Sequence, residues 1–188
     1  SALIGIAIDK GYVSSEYAPA AEFITEWAGD ERKNITIKNL LQMSSGLIEG
    51  GASGYGDGAI MYIGLEDEEG VSDPDRPVDN VLYSIDRVID PNRAPWLGAA
   101  YSWNYQNADS QLLGEIIERA TNTSIYDFAQ DVLFNKIGIN AGWWTDEFGN
   151  YMSYCCLDMT TRNFARFGLL YAREGKWNAE QIVSQDWV

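Results

Sequence analysis

The sequence contains no histidine. Ser-His-Asp and Cys-His machinery is thereby excluded within the chain, and the commonest zinc ligand is missing. Any proton transfer has to run through Asp, Glu, Lys, Tyr, Cys or water. Cysteine is nearly absent: Cys155 and Cys156 are neighbours, so no long loop can be closed between them. They read as two small buried apolar residues rather than as a redox pair. No apolar run approaches the roughly 20 residues of a membrane span. No basic region precedes the apolar start Ser1-Ala2-Leu3-Ile4-Gly5-Ile6, so that start is not a complete signal peptide. Cations are scarce as well, 13 Lys and Arg against 28 Asp and Glu, giving a formal net charge of −15. Binding to a nucleic-acid backbone or an anionic membrane surface is therefore disfavoured.

What is present is an ordinary globular balance, 46% apolar and 22% charged residues over 188 positions. That length suits one domain, or most of a larger one, with a real core. Helical spacing recurs along the chain. Leu3, Ile4, Ala7 and Ile8 predict a buried helix over 2–10, which reads as the C-terminal part of a longer helix. Thr36 caps a predicted helix over 37–44 that closes at Ser44-Ser45-Gly46. Val81, Leu82, Ile85 and Val88 predict a helix over 78–89. The clearest stripe is Leu112, Leu113, Ile116, Ile117 and Ala120 in a helix over 109–120, with Glu115, Glu118 and Arg119 facing water. Ser124 and Thr160 cap two more, over 125–134 and 161–173, the second buried through Phe164, Phe167, Leu170 and Tyr171. Residues 141–155 suit a short hairpin. Between 46 and 76 the chain is glycine-rich and acidic, which reads as a surface excursion. Within it Asp67, Glu68 and Glu69 read as a solvated face, and the spacing of a calcium loop is missing.

The segment Tyr101-Ser102-Trp103-Asn104-Tyr105-Gln106-Asn107 runs straight into the 109–120 helix. A tyrosine and an asparagine two apart, just ahead of a helix start, can face the same way. A phenol can move protons and a carboxamide can hold a substrate amide. By residue type alone, though, an aromatic segment before a helix is first a packing element. Trp143-Trp144 likewise suits either core packing or the rim of a cleft.

Four stretches carry a family resemblance. Thr36-Ile37-Lys38-Asn39-Leu40-Leu41-Gln42-Met43-Ser44-Ser45-Gly46-Leu47 resembles the T-I-x-x-L-L-x-x-x-S-G-L segment of β-lactamase-related serine hydrolases. That family takes in class C β-lactamases, DD-peptidases, esterases and 6-aminohexanoate-dimer hydrolases. Tyr105-Gln106-Asn107, with the helix through Gln111-Leu112-Leu113-Gly114-Glu115, is similar to its Y-x-N motif. Leu133-Phe134-Asn135-Lys136-Ile137-Gly138 resembles its F-x-P-L-G segment, and Met159-Thr160-Thr161-Arg162-Asn163-Phe164-Ala165-Arg166-Phe167-Gly168 its M-T-A-R-D segment. The last two stretches, with Trp143, lean toward the aminohexanoate-dimer-hydrolase branch.

The resemblance implies an α+β fold in which this chain is mainly α, the helical lobe, with the flanking sheet lobe largely absent. It implies hydrolysis of an amide, β-lactam or ester bond through an acyl-enzyme, with no cofactor and no metal. Tyr105 would transfer protons, Asn107 would orient substrate, and Trp143 would contact it. The sequence departs from the family pattern in one respect: no serine is followed three residues on by lysine, and no K-T-G or H-x-G triad occurs. On the resemblance, the chain begins just after its own nucleophile and stops before the final sheet. It is then expected to be inactive alone and to self-associate through a truncated face. The alternative is a non-catalytic binding module that reuses the same lobe. Neither reading fixes a compartment.

Overall fold

The computed structural model describes residues 1–48, 61 and 75–188. Most of the 46–76 excursion therefore lies outside the described residues. Helix α1 (Ala2–Asp9) buries Ala2, Ile4, Gly5, Ile6 and Ala7. Its buried face is thus rotated from the expected one, since Leu3 and Ile8 are only half-buried. Gly5 sits so close under the Trp187 indole that no Cβ would fit.

Helix α2 (Ile37–Leu41) carries a complete capping box. The Asn39 N–H donates to Thr36 Oγ1 at 3.2 Å and the Thr36 N–H donates to Asn39 Oδ1 at 2.9 Å. The helix ends earlier than expected because Met43, not Gly46, first enters the left-handed region, at φ 54°.

The next helix, α3 (Asn80–Ile85), starts at Asp79, whose Oδ1 accepts from Val81 N and Leu82 N. It stops short of the expected 89, and Leu82 and Val88 are exposed rather than buried. Tertiary pairing overrides helical spacing here. The Ile48 N–H donates to Val88 O and the Asp90 N–H to Gly46 O, each at 2.8 Å, so residues 88–90 run antiparallel to 46–48.

After a short α4 (Ala99–Ser102), helix α5 (Asn107–Thr121) runs through the centre and packs against α1, α2, α3 and the next helix. Leu112, Ile116 and Ile117 are buried, each stabilising by about 1.5–3 kcal/mol. Helix α6 (Ile125–Ala129) continues through a π-helical turn (Gln130–Phe134) into α7 (Asn135–Ile137), where one regular helix was expected. The run ends at Gly138, φ 68°, whose carbonyl accepts from the Arg166 guanidinium.

Strands β1 (Ala141–Trp143) and β2 (Leu157–Met159) pair antiparallel, Trp143 opposite Leu157. The hairpin therefore returns later than expected. Helix α8 (Thr161–Ala172) follows, capped by Thr160 as expected. Only Asn163 and Leu170 are buried on it; Phe164 is 63% exposed, against expectation. A second two-stranded hairpin, β3 (Lys176–Trp177) and β4 (Glu180–Gln181), follows, and a short 3-10 turn covers Gln185–Trp187. Among the described residues no helix is long and apolar enough to cross a membrane.

Cys155 and Cys156 also depart from the sequence reading. They are joined as a disulfide between neighbours and are half-buried, not two buried thiols. Adjacency excludes closing a long loop, but it does not exclude closing a small ring through their own peptide bond.

Candidate active site

Two loops and the start of α5 build the site. Gln106 precedes α5 with extended backbone, φ −152° and ψ 145°. Side chains alternate in such backbone, so Gln106 turns inward while its neighbours turn out. Gln106 is 2% exposed, Tyr105 is 67% exposed and Asn107 is half-buried. Tyr105 and Asn107 therefore stand on one wall. Neither side chain hydrogen-bonds to a described residue, which leaves the phenol and the carboxamide available to a substrate.

What holds the wall is a buried polar cluster that the sequence reading missed. The Gln106 Nε2–H donates to Ser45 Oγ at 3.0 Å. The Ser45 hydroxyl in turn donates to Asp109 Oδ1 at 2.6 Å and accepts from Leu47 N–H at 3.2 Å. Ser45 and Asp109 are fully buried. A hydroxyl donating to a carboxyl oxygen at 2.6 Å is a short bond. One further bond, Asn104 N–H to Met43 O at 2.8 Å, ties the aromatic loop to the end of α2. A signal was available in the spacing: Asp109, Leu112 and Ile116 share one face, so a carboxylate sits inside a buried stripe and has to be partnered.

Trp143 lies elsewhere. Its indole Nε1–H donates to Met152 O at 3.0 Å and Cys155 O at 3.1 Å, and its ring packs at the core's edge near Tyr151. It lines a cavity of about 320 Å³ with Leu113, Gly114, Phe134 and Phe167; Tyr105 and Asn107 are not on that cavity's walls. Trp144, beside it, is half-exposed and donates to Asp158 Oδ2 at 2.7 Å.

Ionisable groups near the site's supporting helix are committed to structure. Arg119 bridges Glu26 and Glu115, which raises its pKa, and the same hydrogen bond lowers that of Glu26. Burial pushes the Glu118 carboxyl above its usual value, against the opposing hydrogen bond from Ile125 N–H.

Residues 12–149 match the family model for β-lactamase, and the chain belongs to that family. Solved structures share the fold. A Bacillus anthracis protein described as a putative 6-aminohexanoate-dimer hydrolase superposes with TM-score 0.79 at 21% identity, over 99% of this chain and 48% of its own. A penicillin-binding protein homologue from Pyrococcus abyssi gives 0.65 at 19% identity, over 98% and 44%. A class C β-lactamase from Rhodobacter sphaeroides gives 0.60 at 18%, over 96% and 50%. The chain thus spans about half the length of the structures it matches. No curated protein sequence matches it.

Proposed function

We propose that this chain is the mainly α lobe of a serine hydrolase and supplies one wall of its acyl-transfer site. The bond cleaved is an amide, β-lactam or ester. The observation that carries the reading is the pairing of an exposed phenol with a half-exposed carboxamide on either side of a buried, anchored Gln106. Tyr105 acts in proton transfer at the leaving group. Asn107, at the first turn of α5, donates to or accepts from the substrate's amide and fixes its orientation.

The nucleophile is not among the serines of this chain, since none has lysine three residues on. In this reading the proton-transfer step also needs a cation beside the phenol, and that cation belongs to the same S-x-x-K segment. The chain alone is therefore expected not to turn over a chromogenic cephalosporin or a p-nitrophenyl ester. It is also expected to resist labelling by a fluorophosphonate, and stoichiometric labelling at any of its serines would sink the reading. Joined to a segment that carries S-x-x-K, Tyr105→Phe should lower kcat by about 10²-fold or more. Asn107→Ala should act mainly on KM. A labelled, active protein indifferent to both substitutions would overturn the placing of Tyr105 and Asn107 at the site.

A further inference from the structure

We infer that the Cys155–Cys156 disulfide is a thiol-exchange site whose opening releases the bulge that holds Trp143 and docks the hairpin on α5. The inference stands apart from the hydrolase reading.

The hairpin is lopsided. Trp143 pairs with Leu157 and Thr145 bridges Tyr151. One residue, Trp144, therefore faces the whole bulge 152–156. Trp144 uses both of its backbone groups on that bulge: its N–H donates to Cys156 O at 3.1 Å and its carbonyl accepts from Met152 N–H at 3.0 Å. The Trp143 indole N–H spans the same bulge, to Met152 O and Cys155 O. On the far side Ser153 ties the bulge to the supporting helix. Its N–H donates to Gln111 Oε1 and its hydroxyl to Ser110 O, each at 3.0 Å. Trp143, Trp144, Ser110 and Gln111 thus all bond to the five bulge residues.

The disulfide sits inside that bulge. Cys156 has φ 67°, a left-handed conformation that an L-residue adopts only when its surroundings hold it there. Joining neighbouring residues into a small ring restricts the backbone between them, and so holds Cys156 in that conformation. A cross-link between neighbours removes almost no loop entropy from the unfolded chain, so it is a weak staple for the fold as a whole. Its effect is local, on the carbonyls of Cys155 and Cys156 that take the two tryptophan donors. Both cysteines are only partly buried, and exchange requires that a small thiol reach their sulfurs.

The exchange uses a dithiol reductant. A thiolate of the reductant attacks one cysteine sulfur, the bond between the two protein sulfurs breaks, and a mixed disulfide forms. The second thiolate of the reductant then displaces the protein sulfur. Two electrons and two protons pass to the chain, leaving Cys155 and Cys156 as thiols and the reductant as its cyclic disulfide. With the ring open, Cys156 can leave the left-handed region. The Cys155 and Cys156 carbonyls then turn away from Trp143 and Trp144.

The test combines thiol titration with the indole N–H resonances of the folded, isotope-labelled chain, assigned with Trp143→Phe. Reduced dithiothreitol, without denaturant, should take the titratable thiols from none to both cysteines. It should move the Trp143 indole resonance while leaving that of Trp27, whose Nε1–H donates to Ile85 O at 2.9 Å in the core. Removing the dithiothreitol and adding oxidised glutathione should restore both readings. Cys156→Ser cannot close the ring, so its Trp143 resonance should sit at the reduced position with or without dithiol. The inference is overturned if thiols appear only on unfolding, or if they appear and the Trp143 resonance does not move. It is also overturned if the Trp27 resonance moves in step, which means global unfolding, or if a mild oxidant cannot close the two thiols. Cys156→Ser holding the oxidised position would overturn it as well.

Discussion

Ser45 is the residue on which the candidate site turns. Its hydroxyl oxygen accepts from the Gln106 amide and the Leu47 N–H, and its O–H donates to Asp109, all away from water. Ser45→Ala therefore strips one partner from each of three buried groups at once. A donor or acceptor left unmet in the interior costs about 1–3 kcal/mol. The expected loss is about 2–3 kcal/mol in urea unfolding, with the Tyr105 loop loosened. A loss under about 0.5 kcal/mol, the level of an ordinary surface change, would mean that the cluster does not hold the loop. Gly114 is a second such position, set by close approach rather than by polarity. A Cβ there would stand 2.7 Å from Ser153 Cβ. Gly114→Ala gains about 1 kcal/mol of helix propensity but overpacks the contact by about 1–3 kcal/mol. Net destabilisation, with weakened docking of the hairpin, is the expected outcome; a stabilised variant would show that the bulge gives way freely.

At the scale of elements, α5 joins the site to the rest of the fold. Its first turn carries Asn107 and Asp109, its middle takes the hairpin at Gln111 and Gly114, and its end caps α6. The last link runs through Glu118, whose Oε1 accepts from Ile125 N–H at 2.8 Å. Burial raises the Glu118 pKa, so the folded state holds that proton more tightly than the unfolded chain does. Stability from this group is fully present below the usual glutamate value. It declines as pH rises through the interval up to the raised one. Glu118→Gln keeps an oxygen acceptor for Ile125 and removes the titration. Its melting temperature should therefore fall less than wild type's across that interval, and parallel profiles would refute the assignment. Elements were also where the sequence was most legible. The caps at Thr36, Ser124 and Thr160 and the α5 stripe are local chemistry, set by residues three or four apart. Leu82, Val88 and Phe164 were misread for one reason. Spacing tells which side chains share a face, but the neighbour that covers the face lies far away in the chain. The strand-like pairing of 46–48 with 88–90 then ended α3 early.

For the whole molecule the dominant fact is charge. At net −15 the folded chain repels itself, and the repulsion is weaker in the expanded unfolded state. Salt shortens the range of that repulsion, to a Debye length of about 10 Å at 0.1 M. The melting temperature should consequently rise between low ionic strength and about 0.1 M NaCl, as read by circular dichroism. A flat or falling curve would mean that the ion pairs of Arg119, Lys136 and Arg32 outweigh the net repulsion.

Some properties of this molecule were settled before folding. The absence of histidine, the missing S-x-x-K, the caps and the order of the four motifs are one-dimensional facts, because each depends only on residue type and short separation. They sufficed for the family and for Tyr105 and Asn107 as candidates. Folding decided the rest. Ser45 and Asp109 are 64 residues apart in sequence and 2.6 Å apart in space. Trp143 shares a cavity with α5 but not a wall with Tyr105. Cys155 and Cys156 were visible as neighbours, yet it is the unequal count of residues between the β1–β2 ladder and the Thr145–Tyr151 bridge that turns their peptide into the lock of a bulge. Such contacts follow from how buried surfaces find one another across the chain, and no local spacing encodes that.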